Sequence, residues 1–159
     1  MRFVLAILLF MNLVFMPLGN RVEAQTPIVL AFSQLVEFVR ADHSVSFCTH
    51  PANDEQSRTV GLMFQETMPE RGGMFFDFQK ADIVHMWMRN TVLPLDMVFI
   101  GADLRVVKIV QNTKPFSLAI ISSDVAARYV LEINAGAAER HDVRVGDMVR
   151  LAATKCSLP

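Results

Sequence analysis

The residues best suited to chemistry lie in one short stretch, residues 85–96, which contains the only tryptophan of the chain. Trp87 is followed by Asn90 and Thr91, and Asp96 comes soon after. An amide, a hydroxyl and a carboxylate beside an indole can hold a small polar ligand such as a sugar, because the aromatic face packs on its ring while the polar groups orient it. The sequence therefore predicts a ligand site formed by Trp87, Asn90, Thr91 and Asp96.

A second carboxylate, Glu132, lies between Leu131 and Ile133 in an apolar run. If Glu132 shared a pocket with Asp96, the two would supply the acid and the base of a hydrolase or lyase, so both are the catalytic candidates. A solvated strand face is the alternative for Glu132, since strand side chains alternate in direction. The alternative for Asp96 is that it ties down the 91–95 loop as a hydrogen-bond acceptor. The sequence leaves these alternatives open.

Methionine offers a third kind of chemistry. Met86 and Met88 would share one face of a predicted strand, and thioethers suit Cu(I). Methionine also fills irregular apolar cores, and this packing role is the favoured interpretation. The four histidines show no zinc-ligand spacing, and the sequence has no nucleophile-elbow, phosphate-loop or His-Glu-x-x-His motif. We therefore expect no cofactor and favour a non-catalytic protein, with Met86 and Met88 as weak copper candidates.

The beginning of the chain predicts export. A positive Arg2 precedes a nearly unbroken apolar run over residues 3–15, and Val22-Glu23-Ala24 places small residues where a signal peptidase cuts. The run is shorter than the ~20 residues that cross a bilayer, so an uncleaved anchor is the less favoured alternative. We expect a signal peptide over residues 1–24 and a periplasmic or extracellular mature protein with no membrane association.

The two cysteines, Cys48 and Cys156, both follow the predicted cleavage point. In an oxidising compartment two cysteines of one small domain are usually bridged, so we predict a disulfide between them, with two separate thiols as the alternative. The formal net charge of the chain is -1 and no basic stripe is present, which argues against nucleic acid as a partner. The sequence does not indicate a protein partner.

Short apolar runs separated by turn residues predict a mainly β fold. After a loose N-terminal segment, residues 25–34, one domain over residues 35–156 should form a sandwich or barrel of jelly-roll type with two or three short helices. The predicted strands are 35–40, 44–49, 74–78, 83–90, 97–100, 104–111, 129–133 and 148–152, with a turn at 79–82. Helices are predicted from Asn53 or Asp54 to about Met63, as one turn over 122–127, and over 135–141.

Seven spaced motifs resemble the signature of a widespread prokaryotic family, the domain of unknown function 192 family. They are Gly61-Leu62-Met63-Phe64, Gly73-Met74-Phe75-Phe76, Trp87-Met88-Arg89-Asn90-Thr91 with Leu95-Asp96, Arg105-Val106-Val107, Pro115, Tyr129-Val130-Leu131-Glu132 with Gly136, and Gly146-Asp147. The resemblance covers roughly residues 35–152. It implies a small, mostly β, commonly exported domain with no agreed biochemical activity.

Two departures from the family pattern bear on function. The link over residues 48–55 is longer than usual, and Gln65 stands where relatives often have arginine. The second change removes a positive charge and argues against an anionic ligand beside the Gly-Leu-Met turn. The sequence as a whole predicts an exported accessory domain of the cell envelope, or one that binds a small carbohydrate-like ligand. An enzyme using Asp96 and Glu132, or a Cu(I)-binding protein, are the alternatives.

Overall fold

The computed structural model describes residues 26–153 and Cys156. The predicted signal peptide over residues 1–24 lies outside these residues. In chain order the elements are β1 (Gln34–Val39), β2 (Ser44–Ala52), α1 (Glu55–Val60), β3 (Gly72–Met86), β4 (Leu95–Ile100), β5 (Val106–Val110), β6 (Ile121–Asn134), α2 (Ala137–Arg140) and β7 (Met148–Ala153). In the described part of the chain, neither helix has the length and apolar character needed to cross a membrane.

The seven strands form one curled sheet in the order β5-β4-β6-β3-β2-β1-β7. Only β2 and β3 pair in parallel, and the other neighbours within this sheet are antiparallel. Arg105, just before β5, pairs with Met148 of β7, so the two edges of the sheet meet and the sheet curls into a barrel-like form. The prediction of a mainly β fold with a few short helices is confirmed.

Because side chains alternate along a strand, the sheet buries apolar residues on two faces. One face, which we call the α2 face, carries Val36, Phe47, Phe75, Val98, Leu131 and Ile133 together with the α2 alanines Ala137 and Ala138. The opposite face, the α1 face, carries Met74, Phe76, Met97, Phe99 and Val130, and is covered by Leu62 and Met88. The α2 face is therefore covered by α2, whereas the α1 face is covered by residues that follow α1 and β3.

Several local predictions are confirmed. The hairpins β1–β2 and β4–β5 form, and the first helix begins where its capping residues indicate. The Asp54 carboxylate accepts a hydrogen bond from the Ser57 N–H at 2.8 Å, and the Ser57 hydroxyl accepts one from the Asp54 N–H at 3.3 Å. Gly61 ends the helix with a φ of 52°, a conformation that glycine adopts without a steric penalty.

The strand predicted over residues 83–90 has different ends in the structure, where it belongs to β3. Residues 79–82 do not separate two strands, because β3 pairs with β6 on both sides of them and passes through a bulge at Gln79, whose φ is 64°. The strand then ends at Met86 rather than at Asn90. The Met88 N–H bonds to the Ser117 carbonyl, and Asn90 adopts a left-handed conformation, so the chain leaves the sheet there.

The predicted helical turn over residues 122–127 is also wrong, since this segment lies within β6. Ser123 is buried, and its hydroxyl accepts a hydrogen bond from the Val84 N–H at 2.9 Å and donates one to the Val125 carbonyl at 2.7 Å. The serine thus satisfies backbone groups at an irregular point of the β3–β6 ladder. Serine side chains support strand bulges as well as helix caps, and only long-range pairing decides between the two roles.

Candidate functional site

The most developed cleft of the described chain lies between α1 and residues 87–91, and we call it the Trp87 cleft. It consists of three cavities of about 290, 30 and 300 Å³, each lined by both Thr59 and Trp87. The first cavity also borders Asn90 and Arg89, and the third borders His85 and Phe78. The smallest cavity lies over the sheet and reaches Glu132. The two larger volumes are close to the lower limit of small-molecule sites.

Backbone contacts hold the two walls of the cleft together. The Phe64 N–H donates to the Asn90 carbonyl at 2.9 Å, which ties the chain after α1 to the segment after Trp87. The Gln65 side-chain amide donates to the Ile28 carbonyl at 2.5 Å, so the N-terminal segment runs alongside. Thr26 consequently lines the 290 Å³ cavity. The glutamine that replaces the usual arginine therefore has a structural role.

Trp87 remains 41% exposed, although it is the largest side chain of the segment. The Arg89 guanidinium carbon lies 4.7 Å from the centroid of its ring, within the range of a cation–π contact. Within the described residues the Arg89 side chain makes no hydrogen bond or ion pair. The cleft thus presents an accessible aromatic surface with an unused fork of N–H donors beside it.

Glu132 lies at the floor of the cleft. It is 4% exposed and borders the 30 Å³ cavity, and its carboxyl group has no hydrogen-bond partner among the residues that the structure describes. Burial raises the pKa of Glu132 to about 8, so the carboxyl group is mostly uncharged at neutral pH. In this form it can donate one hydrogen bond and accept others. The solvated strand face considered from the sequence is wrong, because Glu132 is buried and borders a cavity lined by residues 58–63.

Three of the four predicted ligand residues come together. Trp87 and Asn90 line the 290 Å³ cavity, while Thr91 is buried beside Glu132 at the smallest one. The Thr91 hydroxyl donates to the Arg89 carbonyl at 3.1 Å, and the Asn90 amide points toward the sulfur of Met63 at 3.9 Å. Thr91 thus shapes the turn, whereas Trp87 and Asn90 face the cleft.

Asp96 lies elsewhere, fully buried on the α2 face. One carboxylate oxygen accepts the Asn112 N–H at 2.9 Å and the other accepts the Ala138 N–H, also at 2.9 Å. Asp96 pairs with Ile133 across β4 and β6, whereas its neighbour Met97 pairs with Glu132. The two carboxylates consequently project from opposite faces of the sheet, and the shared pocket that paired acid–base chemistry needs is not formed.

The copper hypothesis also depends on a geometry that the structure does not provide. Met88 is fully buried, and its sulfur accepts a hydrogen bond from the Thr113 hydroxyl at 3.2 Å. Met86 ends β3, so the two side chains do not share a strand face as predicted. Among the described residues, no group of three or more His, Cys, Asp or Glu side chains is arranged to hold a metal ion.

Cys48 and Cys156 are neighbours. The pKa of the Cys48 thiol is raised to about 12, mainly by burial and in addition by the adjacent Cys156 side chain. The sulfur of Cys156 also lies 3.5 Å from the Gln34 carbonyl on β1. Cys156 therefore lies against β1 and β2, and the disulfide stays a prediction that this proximity permits.

The sequence did not predict that α1 lines the Trp87 cleft. Arg58 lines two of the cavities and donates to the carbonyls of Asn53 at 3.0 Å and Asp77 at 2.9 Å. Thr59 lines all three. The helix was predicted, but which of its faces meets Trp87 depends on packing between distant segments, and no local pattern indicates it.

Solved structures of two bacterial proteins share this fold. One, from Sinorhizobium meliloti 1021 and described as a proposed transcription regulator, is 38% identical with a TM-score of 0.74, and the match covers 79% of this chain and 98% of that one. The other, a protein of unknown function from Novosphingobium aromaticivorans DSM 12444, is 33% identical with a TM-score of 0.72, covering 80% and 94%. The DUF192 family model, described as "Uncharacterized ACR", matches residues 37–151. The chain belongs to the DUF192 family.

Membership of DUF192 confirms the resemblance drawn from the seven motifs. No curated protein matches the chain in sequence. The DUF192 family is one of unknown function, so the comparisons establish the fold and the family and name no activity.

Proposed function

We propose that this DUF192 protein is a binding domain that takes a small polar, carbohydrate-like ligand in the Trp87 cleft. The observation that carries the proposal is the Glu132 carboxyl group, which is buried beside a cavity without a hydrogen-bond partner among the described residues. Leaving a buried polar group unpaired costs about 1–3 kcal/mol, so most buried polar groups in folded proteins have a hydrogen-bond partner. A hydroxyl group of a bound ligand would supply the missing partner.

The upper part of the cleft supports the same function. Trp87 offers an exposed ring on which the apolar face of a sugar can pack, and Asn90 offers an amide that can orient it. A cavity of about 290 Å³ accommodates a ligand of roughly monosaccharide size. Binding of this kind needs no second carboxylate, which agrees with the position of Asp96 on the opposite face.

The other functions are less well supported. A hydrolase or lyase using Asp96 and Glu132 lacks the common pocket, and a Cu(I) site using Met86 and Met88 would have to extract a buried sulfur from its contact with Thr113. The name of the Sinorhizobium meliloti relative would make nucleic acid a candidate ligand. The formal net charge of -1, with 15 basic and 16 acidic residues, argues against a nucleic-acid partner.

Replacing Trp87 with alanine should weaken sugar binding at least about tenfold, because the stacking surface is lost. We would titrate the protein with glucose and with N-acetylglucosamine and follow the backbone amides by NMR. The expected shifts centre on residues 87–91 and on α1. Val145→Ala, which truncates an exposed apolar side chain elsewhere, should bind as the unmodified protein does. Shifts centred on any other surface, or no shift with these sugars or with the sugar acid D-glucuronate at millimolar concentration, would refute the proposed function.

We also propose that the protein is exported with Cys48 and Cys156 joined. Protein recovered from a bacterial periplasm should begin at Gln25 and resist alkylation of both cysteines until it is reduced. Reduction should lower the free energy of unfolding by about 2–4 kcal/mol, because the unfolded chain regains entropy. A Cys48→Ser/Cys156→Ser variant should be insensitive to reductant. Immediate alkylation of both thiols would contradict the disulfide, and retention in the cytoplasm would contradict export.

A further inference from the structure

We infer that the Trp87 cleft selects ligands that carry a carboxylate group, which Arg89 binds, while Glu132 hydrogen-bonds a ligand hydroxyl deeper in the cleft. This inference rests on the proposed function and names the chemical class of its ligand. A uronic acid, a sugar ring with a carboxylate in place of one hydroxymethyl group, is the simplest molecule of this class.

The first support is the state of Arg89. Its guanidinium group is held over the Trp87 ring, and its N–H donors are not used by any residue that the structure describes. The planar fork of a guanidinium matches the two oxygens of a carboxylate, and stacking on an aromatic ring restricts its rotamers before a ligand arrives. The arginine is therefore oriented to receive an anion beside the aromatic surface.

The second support is the distribution of charge. The eight residues that line the 290 Å³ cavity are Thr26, Thr59, Val60, Met63, Phe64, Trp87, Arg89 and Asn90. Arg89 is the single charged side chain among them, so this part of the cleft is electropositive. Glu55, the acidic residue of the neighbouring 300 Å³ cavity, is exposed and faces Arg58 and His85 in that cavity. An anionic group is thus attracted to the Arg89 side of the cleft.

The third support is the carboxyl group of Glu132, which is uncharged at neutral pH and lies in the same cleft as Arg89. The cavity beside Glu132 has a volume of about 30 Å³, which leaves room for at least one water molecule or one hydroxyl group. Arg58 is the other charged group that borders it, and its Nη1 group donates to the carbonyls of Asn53 and Asp77. Two threonines, Thr59 and Thr91, and apolar residues of β3 and of the segment over residues 60–63 complete the surroundings. An uncharged Glu132 tolerates a nearby carboxylate, whereas an ionised one would repel it.

The structure also resolves the apparent conflict with Gln65. Loss of an arginine at this position argued against an anion beside the Gly-Leu-Met turn, yet the Gln65 amide is committed to the Ile28 carbonyl and does not line the cleft. The positive charge comes instead from Arg89, two residues after the tryptophan. The anion site is consequently placed on the opposite wall of the cleft.

The test compares D-glucuronate with D-glucose, which differ at one carbon, by NMR titration of the full domain. The unmodified protein should bind glucuronate at least about tenfold more tightly, the usual scale of one charge-assisted hydrogen-bonded pair. Arg89→Gln should abolish this preference while the shifts remain centred on Trp87. Arg150→Gln, an exposed arginine on β7, should keep the preference.

A second variant tests the role of Glu132. Raising the pH from about 6 to about 9.5 should weaken glucuronate binding to the unmodified protein and not to Glu132→Gln, whose amide cannot ionise. Equal binding of the two sugars at Trp87, or a preference that survives Arg89→Gln, would overturn the carboxylate inference and leave the proposed function intact. A failure of both sugars to bind at Trp87 would overturn both. A pH response that Glu132→Gln shares would remove Glu132 from the inference.

Discussion

The free energy of unfolding should fall as the pH rises from about 5 to about 8, and Glu132→Gln should remove most of this fall. Burial raises the pKa of Glu132 from its ordinary value to about 8. Between the two values the folded chain holds a proton that the unfolded chain has released, so each increase in pH favours unfolding. The stabilisation is complete below the ordinary pKa and lost as the pH passes about 8. The total change is on the order of 5 kcal/mol.

Urea denaturation at a series of pH values measures this effect. The amide of Glu132→Gln keeps the shape of the side chain and cannot ionise, so the difference between the two stability curves isolates Glu132 from other titrating groups. The control is Glu139→Gln, which changes an exposed glutamate of α2 and should follow the unmodified protein. Parallel curves for Glu132→Gln and the unmodified protein would show that Glu132 is already ionised in the folded state.

Asp96→Ala should lower the free energy of unfolding by about 3–5 kcal/mol. The carboxylate is fully buried and is the acceptor for two backbone N–H groups, those of Asn112 and Ala138. Removing it leaves both donors without that partner and opens a small cavity, and each unpaired buried donor costs about 1–3 kcal/mol. Asp96→Asn retains one acceptor oxygen, so its cost should be smaller. Denaturation curves and amide hydrogen exchange at Asn112 and Ala138 measure the loss.

The matched control is Asp82→Ala, which removes an exposed aspartate from β3 and should change the free energy of unfolding by less than about 0.5 kcal/mol.

The two roles considered for Asp96, a structural acceptor and a ligand-binding residue, lead to different results. As a structural acceptor it can be replaced without altering the glucuronate affinity of the folded protein. A variant of unchanged stability but weakened binding would instead place Asp96 in the ligand site.

The sequence predicted those features that depend on neighbours along the chain. Asp54 and Gly61 mark the two ends of α1 through their own backbone preferences, and the β1–β2 hairpin follows from two short runs around a turn. The stretch around Trp87, which the sequence predicts to hold a ligand site, lies along a cleft. In each case a few consecutive residues contain the physical information that decides the structure.

The features that the sequence did not predict depend on register between distant strands. Because side chains alternate along a strand, Asp96 and its neighbours in β4 project from opposite faces of the sheet. Only the pairing of β4 with β6 shows that Glu132 lies on the face opposite to Asp96. Glu132 is buried beside a cavity lined by residues 58–63 and Trp87, which are far from it in the chain. The polar residues after Asp77 have the composition of a turn. In the structure they form a bulge within β3, because β3 pairs with β6 on both sides of them.

The most direct test of the account is the pKa of the Glu132 carboxyl group, followed by ¹³C NMR with and without D-glucuronate. We expect a midpoint near 8 in the protein alone and a higher one in the presence of glucuronate, because a ligand that binds the uncharged form must raise the pKa. A midpoint near the ordinary value for glutamate would contradict a buried, uncharged acid at the floor of the cleft. A midpoint near 8 that glucuronate leaves unchanged would contradict its role in binding.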